Sequence, residues 1–285
     1  MKKILIIAIL MIFGTNVHST TFYSEDFEGS APNYSGGANW LGNVFTYALS
    51  TTNAKSGQKS MLFSYAPGWN ISVEERFELT VPSRDIYISF WWRVPDNFFH
   101  YVRPEGSNTP CNSKLLSVWM DGYSYQGMGP TMVWVFWCSE TLLNGSDLSM
   151  HYNPGAMPGQ PSNTSVTSGQ IANAPFIRVP EDRGRWMHLV FHGKAATSRG
   201  SNDGVMETFR KWEGEVVHTR IQRIEDADIP APANGPNGWK NGYLMGWSNP
   251  GYDTKTDFYI DDFIIGDTFP NAPVVPNPPG SFRVH

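Results

Sequence analysis

The chain has 285 residues, a formal net charge of -5, 16% charged residues and 14% aromatic residues, 11 of them tryptophan. No broad basic field is present, which excludes nucleic acid as the expected partner, and no apolar stretch reaches the roughly twenty residues of a membrane-spanning helix. The charged fraction lies below the roughly 25% usual for soluble domains, and tryptophan in excess of core needs suggests exposed stacking platforms.

Residues 1–19 open with Met1-Lys2-Lys3, continue with an apolar run from Ile4 to Phe13 and end on Val17-His18-Ser19. This is the pattern of a secretory signal peptide, so the mature protein is expected to be exported, soluble and extracellular. Residues 20–267 suit one large domain. Residues 268–285, with Pro270, Pro273, Pro276, Pro278 and Pro279, read as an extended tail.

Within the domain, short runs with period-two alternation recur between Gly, Asn, Asp and Pro turns. A strand at 22–28 is followed by a loop at 29–43, then strands at 44–49, 60–65, 72–81 and 86–94. In the last of these Ile86, Ile88, Phe90, Trp92 and Val94 share one face, expected to be core, opposite Tyr87, Ser89, Trp91 and Arg93. A loop at 95–110 carries His100, Tyr101 and Arg103 and is long enough to overhang a groove. Strands at 115–120 and 132–138 come next. Cys111 and Cys138, the only cysteines, sit at their edges. In an exported chain a bridge between them is expected, closing a loop worth on the order of 3 kcal/mol, with two buried thiols as the alternative. Residues 153–175 read as a long functional or mobile loop. Strands at 186–194, 205–212 and 216–221, a loop at 226–241 and strands at 243–248 and 257–265 complete the domain. Four Asn-x-Ser/Thr sequons begin at Asn33, Asn70, Asn144 and Asn163. No helix and no repeat is expected, so the fold class is all-β, an antiparallel β-sandwich.

Four pieces of the C-terminal part of the domain carry a family likeness: Gly184-Arg185-Trp186-Met187-His188-Leu189-Val190, Ser201-Asn202-Asp203-Gly204-Val205, Gly242-Tyr243-Leu244-Met245-Gly246-Trp247 and Phe258-Tyr259-Ile260-Asp261-Asp262-Phe263. Their order resembles the concanavalin A-like lectin/glucanase superfamily, over residues 22–267. The resemblance implies a jelly roll whose partner is an extracellular polysaccharide. It also implies a structural calcium ion between the first and last strands, with Asp26, Glu28, Asp261 and Asp262 as ligands. No organic cofactor is expected, and the protein is expected to be a monomer.

Jelly-roll polysaccharide lyases of this kind neutralise a uronate carboxylate with a cation, so that a base of ordinary strength can remove the adjacent proton. Here a groove would be lined by Lys114, Trp134 and His192. Lys114, with Leu116 and Val118, and His188, with Val190, His192 and Lys194, would each occupy one strand face. Lys114 and Lys194 would meet the carboxylate, and His192, His188 or Tyr152 would act as base, with Tyr123 and Tyr125 as further options. The chain lacks the Arg-Ser/Thr-Glu-x-Arg, Gln-Ile/Val-His and Tyr-Phe-Lys-Ala-Gly patterns of alginate lyases. Its Glu74-Glu75-Arg76-Phe77-Glu78 does not match the Glu-x-Asp-x-x-Glu of laminarinases and reads as a solvated charged face. Sugar stacking is assigned to Trp91, Trp119, Trp134, Trp137, Trp239 and Trp247, with Arg93 and Asn249 beside them. The readings are then a lyase acting on an anionic glycan, a non-catalytic carbohydrate-binding protein, and a hydrolase or adhesion protein.

Overall fold

A computed structural model describes residues 20–30, 38–43, 47–68, 71–100, 111–121, 130–139, 142–155, 172–232 and 235–270. The expected signal peptide, most of the tail, Tyr101, Arg103, Tyr123, Tyr125, Asn33, Asn70 and Asn163 lie outside the described residues.

The strands are β1 (Thr21–Glu25), β2 (Ala38–Asn43), β3 (Tyr47–Ser50), β4 (Ser60–Tyr65), β5 (Ile71–Ser72), β6 (Glu75–Ser83), β7 (Asp85–Arg93), β8 (Asn112–Trp119), β9 (Thr131–Cys138), β10 (Ser146–Asn153), β11 (Ala172–Ile177), β12 (Trp186–Lys194), β13 (Gly204–Trp212), β14 (Thr219–Ala227), β15 (Trp239–Leu244), β16 (Trp247–Asn249) and β17 (Thr256–Gly266). They form two antiparallel sheets. The back sheet runs β14-β13-β12-β7-β17-β4-β3, with β1 also on β17. The front sheet runs β11-β10-β9-β8-β15-β6-β2, with β16 joining β8 to β5. No helix among the described residues is long and apolar enough to cross a membrane.

Several strands differ from the sequence expectation: β14 extends past the expected 216–221, β15 and β16 divide the expected 243–248, β5 and β6 divide the expected 72–81, and three strands fall outside the expected ones. β2 lies in the stretch read as loop 29–43, and β11 lies in the stretch read as loop 153–175. β10 was not expected at all; its outer face is Asp147, Ser149, His151 and Asn153, polar enough to mask the inner Leu148 and Met150. Tertiary pairing with β9 over eight residues overrides the weak local preference.

The core lies between the sheets and is aromatic. Trp92 of β7 stacks on Phe258 at 5.1 Å and on Phe176 at 5.6 Å. Trp134 of β9 meets Phe191 of β12 edge-on at 5.1 Å and donates its indole N–H to Thr208 Oγ1 at 2.9 Å. Each such ring contributes about 1.5–3 kcal/mol by leaving water. The sheets approach closely at Gly193, where an added Cβ would sit 2.0 Å from Met132 Cε. β17 serves two partners on one edge: β4 pairs with its first half and β1 with its second. A bulge between Asp261 and Ile264 separates the halves, with Asp262 at φ 50°.

Cys111 and Cys138 are disulfide-bonded across the β8–β9 edge, their Cα atoms 5.6 Å apart. The Cys138 N–H also donates to the Cys111 carbonyl at 3.1 Å.

Candidate functional site

Pairing register converts the outer face of the front sheet into a grid. One row crosses five strands as Arg76, Tyr243, Ser117, Val133 and His151. The next row is Glu78, Asn241, Trp119, Thr131 and Asn153. On the other side lie Lys114, Val135 and Ser149, and then Asn112, Trp137 and Asp147. Lys114 reaches this face because a bulge between it and Leu116 shifts the alternation. Leu116 and Val118 therefore point into the core, which corrects the expectation that all three share a face.

Most charges on the grid are already paired. Arg76 hydrogen-bonds Glu74 and lies 5.8 Å over the Trp119 ring, while Lys240 meets Glu78 at 2.6 Å. Lys114 has no ion-pair partner among the described residues. An added Cβ on Gly246 would sit 3.0 Å from Lys114 Cβ and 3.2 Å from Tyr243 Cε2, so both side chains flank that glycine. At the far end of the Tyr243 row, burial lowers the pKa of His151 and keeps its ring neutral. Its Nε2 and the neighbouring Trp137 Nε1 are buried without hydrogen-bond partners among the described residues, the two rings being 6.3 Å apart. Buried polar atoms in that state are uncommon and call for a partner. Trp247 is exposed and Asn249 half-buried, and their strand pairs with Asn112 and Ser113, so both border the same face.

The structure thus brings Lys114, Trp119, Trp137, Trp247 and Asn249 to one face. Tyr243 and His151, which the sequence reading did not select, stand among them. Tyr243 lay within a quoted motif; His151 lay on the unexpected β10.

The other expected site residues lie elsewhere. The groove joining Lys114, Trp134 and His192 is not formed. β12 belongs to the back sheet, and Trp134 lies in the core between the two sheets. Trp134 and Trp239 are buried and offer no stacking surface. Tyr152 points inward with Leu148 and Met150 and packs on the core, where burial raises its pKa. His192 is held on the outer back face, with Nδ1 2.8 Å from Glu207 Oε2, Nε2 2.8 Å from Asp85 Oδ1 and Tyr87 stacked at 4.1 Å. Lys194, opposite Asp85, and Trp91, His188 and Arg93 share that back face. Arg93 is bound to Asp96 at 2.9 Å. His100 is buried against Phe98 and Phe136 rather than overhanging a groove.

Of the four carboxylates expected at a calcium ion, three accept from backbone amides and Asp262 accepts from a hydroxyl. Asp261 Oδ2 accepts from the N–H groups of Lys55 and Ser56, and its Oδ1 from that of Asp262. Glu28 Oε1 accepts from Gln58 and Lys59, Asp26 Oδ1 from Glu28, and Asp262 Oδ1 from the Ser56 hydroxyl. Among the described residues no three His, Cys, Asp or Glu groups converge as metal ligands.

Neither a protein-family model nor a curated protein matches the chain. Solved structures do match in fold. The chain is similar to a PL-14 alginate lyase from Aplysia kurodai, with TM-score 0.56 at 11% identity over 86% of this chain and 98% of that one. It is similar to an endo-β-1,4-glucuronan lyase from Trichoderma reesei, with TM-score 0.53 at 12% identity over 88% and 97%. An alginate lyase from Chlorella virus gives TM-score 0.51 at 11% identity over 80% and 92%. Two antiparallel sheets in this order, and these likenesses, give the chain an antiparallel jelly-roll fold like that of these lyases.

Proposed function

We propose that the protein engages a uronate-containing polysaccharide on the outer face of its front sheet and cleaves it by β-elimination. The observation that carries this reading is Lys114, an ammonium group with no ion-pair partner among the described residues, on a face bordered by Trp119, Trp137 and Trp247. Three fold neighbours named as alginate or glucuronan lyases support it. The disulfide suits an exported protein.

In this reading Lys114 pairs with the uronate carboxylate and stabilises the negative charge that builds there when the neighbouring C5–H bond breaks. His151, neutral and with its buried Nε2 unpartnered among the described residues, turns that nitrogen toward the sugar and takes the proton. The electron pair forms the C4=C5 double bond, the C4–O bond breaks, and the departing oxygen takes a proton from water. Strand spacing and rise place the Lys114 and His151 Cα atoms roughly 12 Å apart, a gap that two side chains and one sugar ring fill.

A second reading, binding without cleavage, is favoured by one observation: Tyr243, in the middle of the face, is fully buried. One experiment separates the two. The purified protein is incubated with alginate, glucuronan, pectate and glycosaminoglycans while ultraviolet absorbance of unsaturated uronate is followed. Growth of the signal with one polymer, abolished in Lys114→Ala and reduced in His151→Ala, is the expected result. Retention on an immobilised uronate glycan with no unsaturated product would overturn cleavage and leave binding.

A further inference from the structure

The back face carries a cleft that the proposed chemistry does not use. Its volume is about 940 Å³, within the range of ligand sites, and its lining includes Asp26, Ser30, Trp91, His188, Lys211 and Asp262. Pairing register sets Asp261, Trp91, His188 and Lys211 in one row across β17, β7, β12 and β13. The bulge in β17 turns Asp262 to the cleft wall beside them. Because the core lies between the sheets, this cleft is on the opposite side of the sandwich from Lys114.

We infer that this cleft is a second binding site, for the pyranose rings of an uncharged oligosaccharide, with Trp91 as the stacking platform. The indole is partly exposed, and an aromatic ring of this kind covers the apolar face of a pyranose. Hydroxyl donors find acceptors in Asp26 and Asp262, each of which, among the described residues, spends one carboxylate oxygen on a neighbour. A hydroxyl acceptor finds Lys211, which has no ion pair among the described residues, whereas Lys55, 4.7 Å over the same ring, is tied to Glu213 at 2.9 Å.

Charge selects the class of sugar. Three carboxylates, Glu25, Asp26 and Asp262, line the cleft against one ammonium, Lys211. His188 adds no positive charge, since its Nδ1 is engaged by His218 Nε2 at 2.7 Å and burial keeps the ring neutral. A uronate would meet net repulsion here, the reverse of the front face. The inference is independent of cleavage on that face.

The test uses the full-length mature protein and titrates cello-, laminari- and manno-hexaose, with hexauronate as competitor, followed by calorimetry. Binding of at least one neutral hexaose is expected, weakened at least about tenfold in Trp91→Ala. Asp26→Asn, an exposed and structurally mild change, weakens it less, and Lys114→Ala leaves it unaltered. No binding of any neutral hexaose, full binding by Trp91→Ala and Asp26→Asn, or displacement by hexauronate would each overturn the site.

Discussion

The Nδ1 of His188 and the Nε2 of His218 lie 2.7 Å apart, so one imidazole donates a hydrogen bond to the other. That contact requires at least one ring to be neutral. Burial, then the neighbouring His218 and Lys211, push the His188 pKa down to about 3, and burial with Lys211 pushes His218 to about 4. Buried His100 is likewise held at about 3. In the unfolded chain these rings protonate near pH 6.5. Below that pH the unfolded state binds more protons, so their contribution to stability is complete above about pH 6.5 and is lost as pH falls toward 4. Urea unfolding across this window will show a falling midpoint, with a shallower fall in His218→Gln. Identical pH slopes in the two proteins would rule the pair out as a cause.

Glu75 acts in the opposite sense. It faces inward from β6, fully buried, and neither carboxyl oxygen has a hydrogen-bond partner among the described residues. Burial, then the charge of Glu74, raises its pKa to about 8. The folded state therefore holds a proton that the unfolded chain releases near pH 4.5, and stability declines as pH rises from there to about 8. At pH 7 this opposes folding by on the order of 3 kcal/mol. Glu75→Met should gain about 1–3 kcal/mol at pH 8 and little at pH 4.5. Chemical denaturation at the two pH values measures the difference, and an equal effect at both would contradict the assignment.

Two glycines of the front sheet differ in what they support. A Cβ on Gly242 would lie 2.3 Å from Phe77 Cζ and 2.7 Å from the Ser117 carbonyl oxygen, so Gly242→Ala should cost about 1–3 kcal/mol of stability. At Gly246 the obstacles are Lys114 and Tyr243 side-chain atoms. Gly246→Ala should displace both and weaken uronate-glycan retention on an affinity column, with a smaller loss in thermal midpoint than Gly242→Ala. The reverse ranking in the melting experiment would show that the Gly246 contacts are the stiffer ones.

The carboxylates of Asp26, Glu28, Asp261 and Asp262 are engaged with amides and a hydroxyl, and among the described residues no three His, Cys, Asp or Glu groups converge. Exhaustive chelation is therefore expected to leave the thermal midpoint unchanged. A midpoint that drops with chelator and returns with calcium would mean that these groups rearrange around an ion.

Replacing both Cys111 and Cys138 by Ala should lower stability by about 3–4 kcal/mol, the loop-closure entropy for a sequence separation of 27. Equilibrium unfolding under oxidising and reducing conditions gives the same quantity by a second route.

Much of the back sheet was legible in the sequence. Ile86, Ile88, Phe90 and Trp92 alternate with Tyr87, Ser89, Trp91 and Arg93, and β7 carries its core and outer faces as that pattern demands. β10 was not legible, because Asp147, Ser149, His151 and Asn153 conceal its two buried apolar residues. His151 went unselected with it.

Sequence alone determined the all-β class, the inward and outward faces of the regular strands and the pairing of two lone cysteines, because these follow from period-two geometry and from having one possible bridge. Tertiary structure alone decided which sheet each strand joined. Local alternation carries no information about partners distant in sequence, so Lys114 and His192 fit one imagined face while long-range pairing set them on opposite sides of the core. It also decided where alternation breaks: a single bulge after Lys114 turns that ammonium outward while Leu116 and Val118 point in.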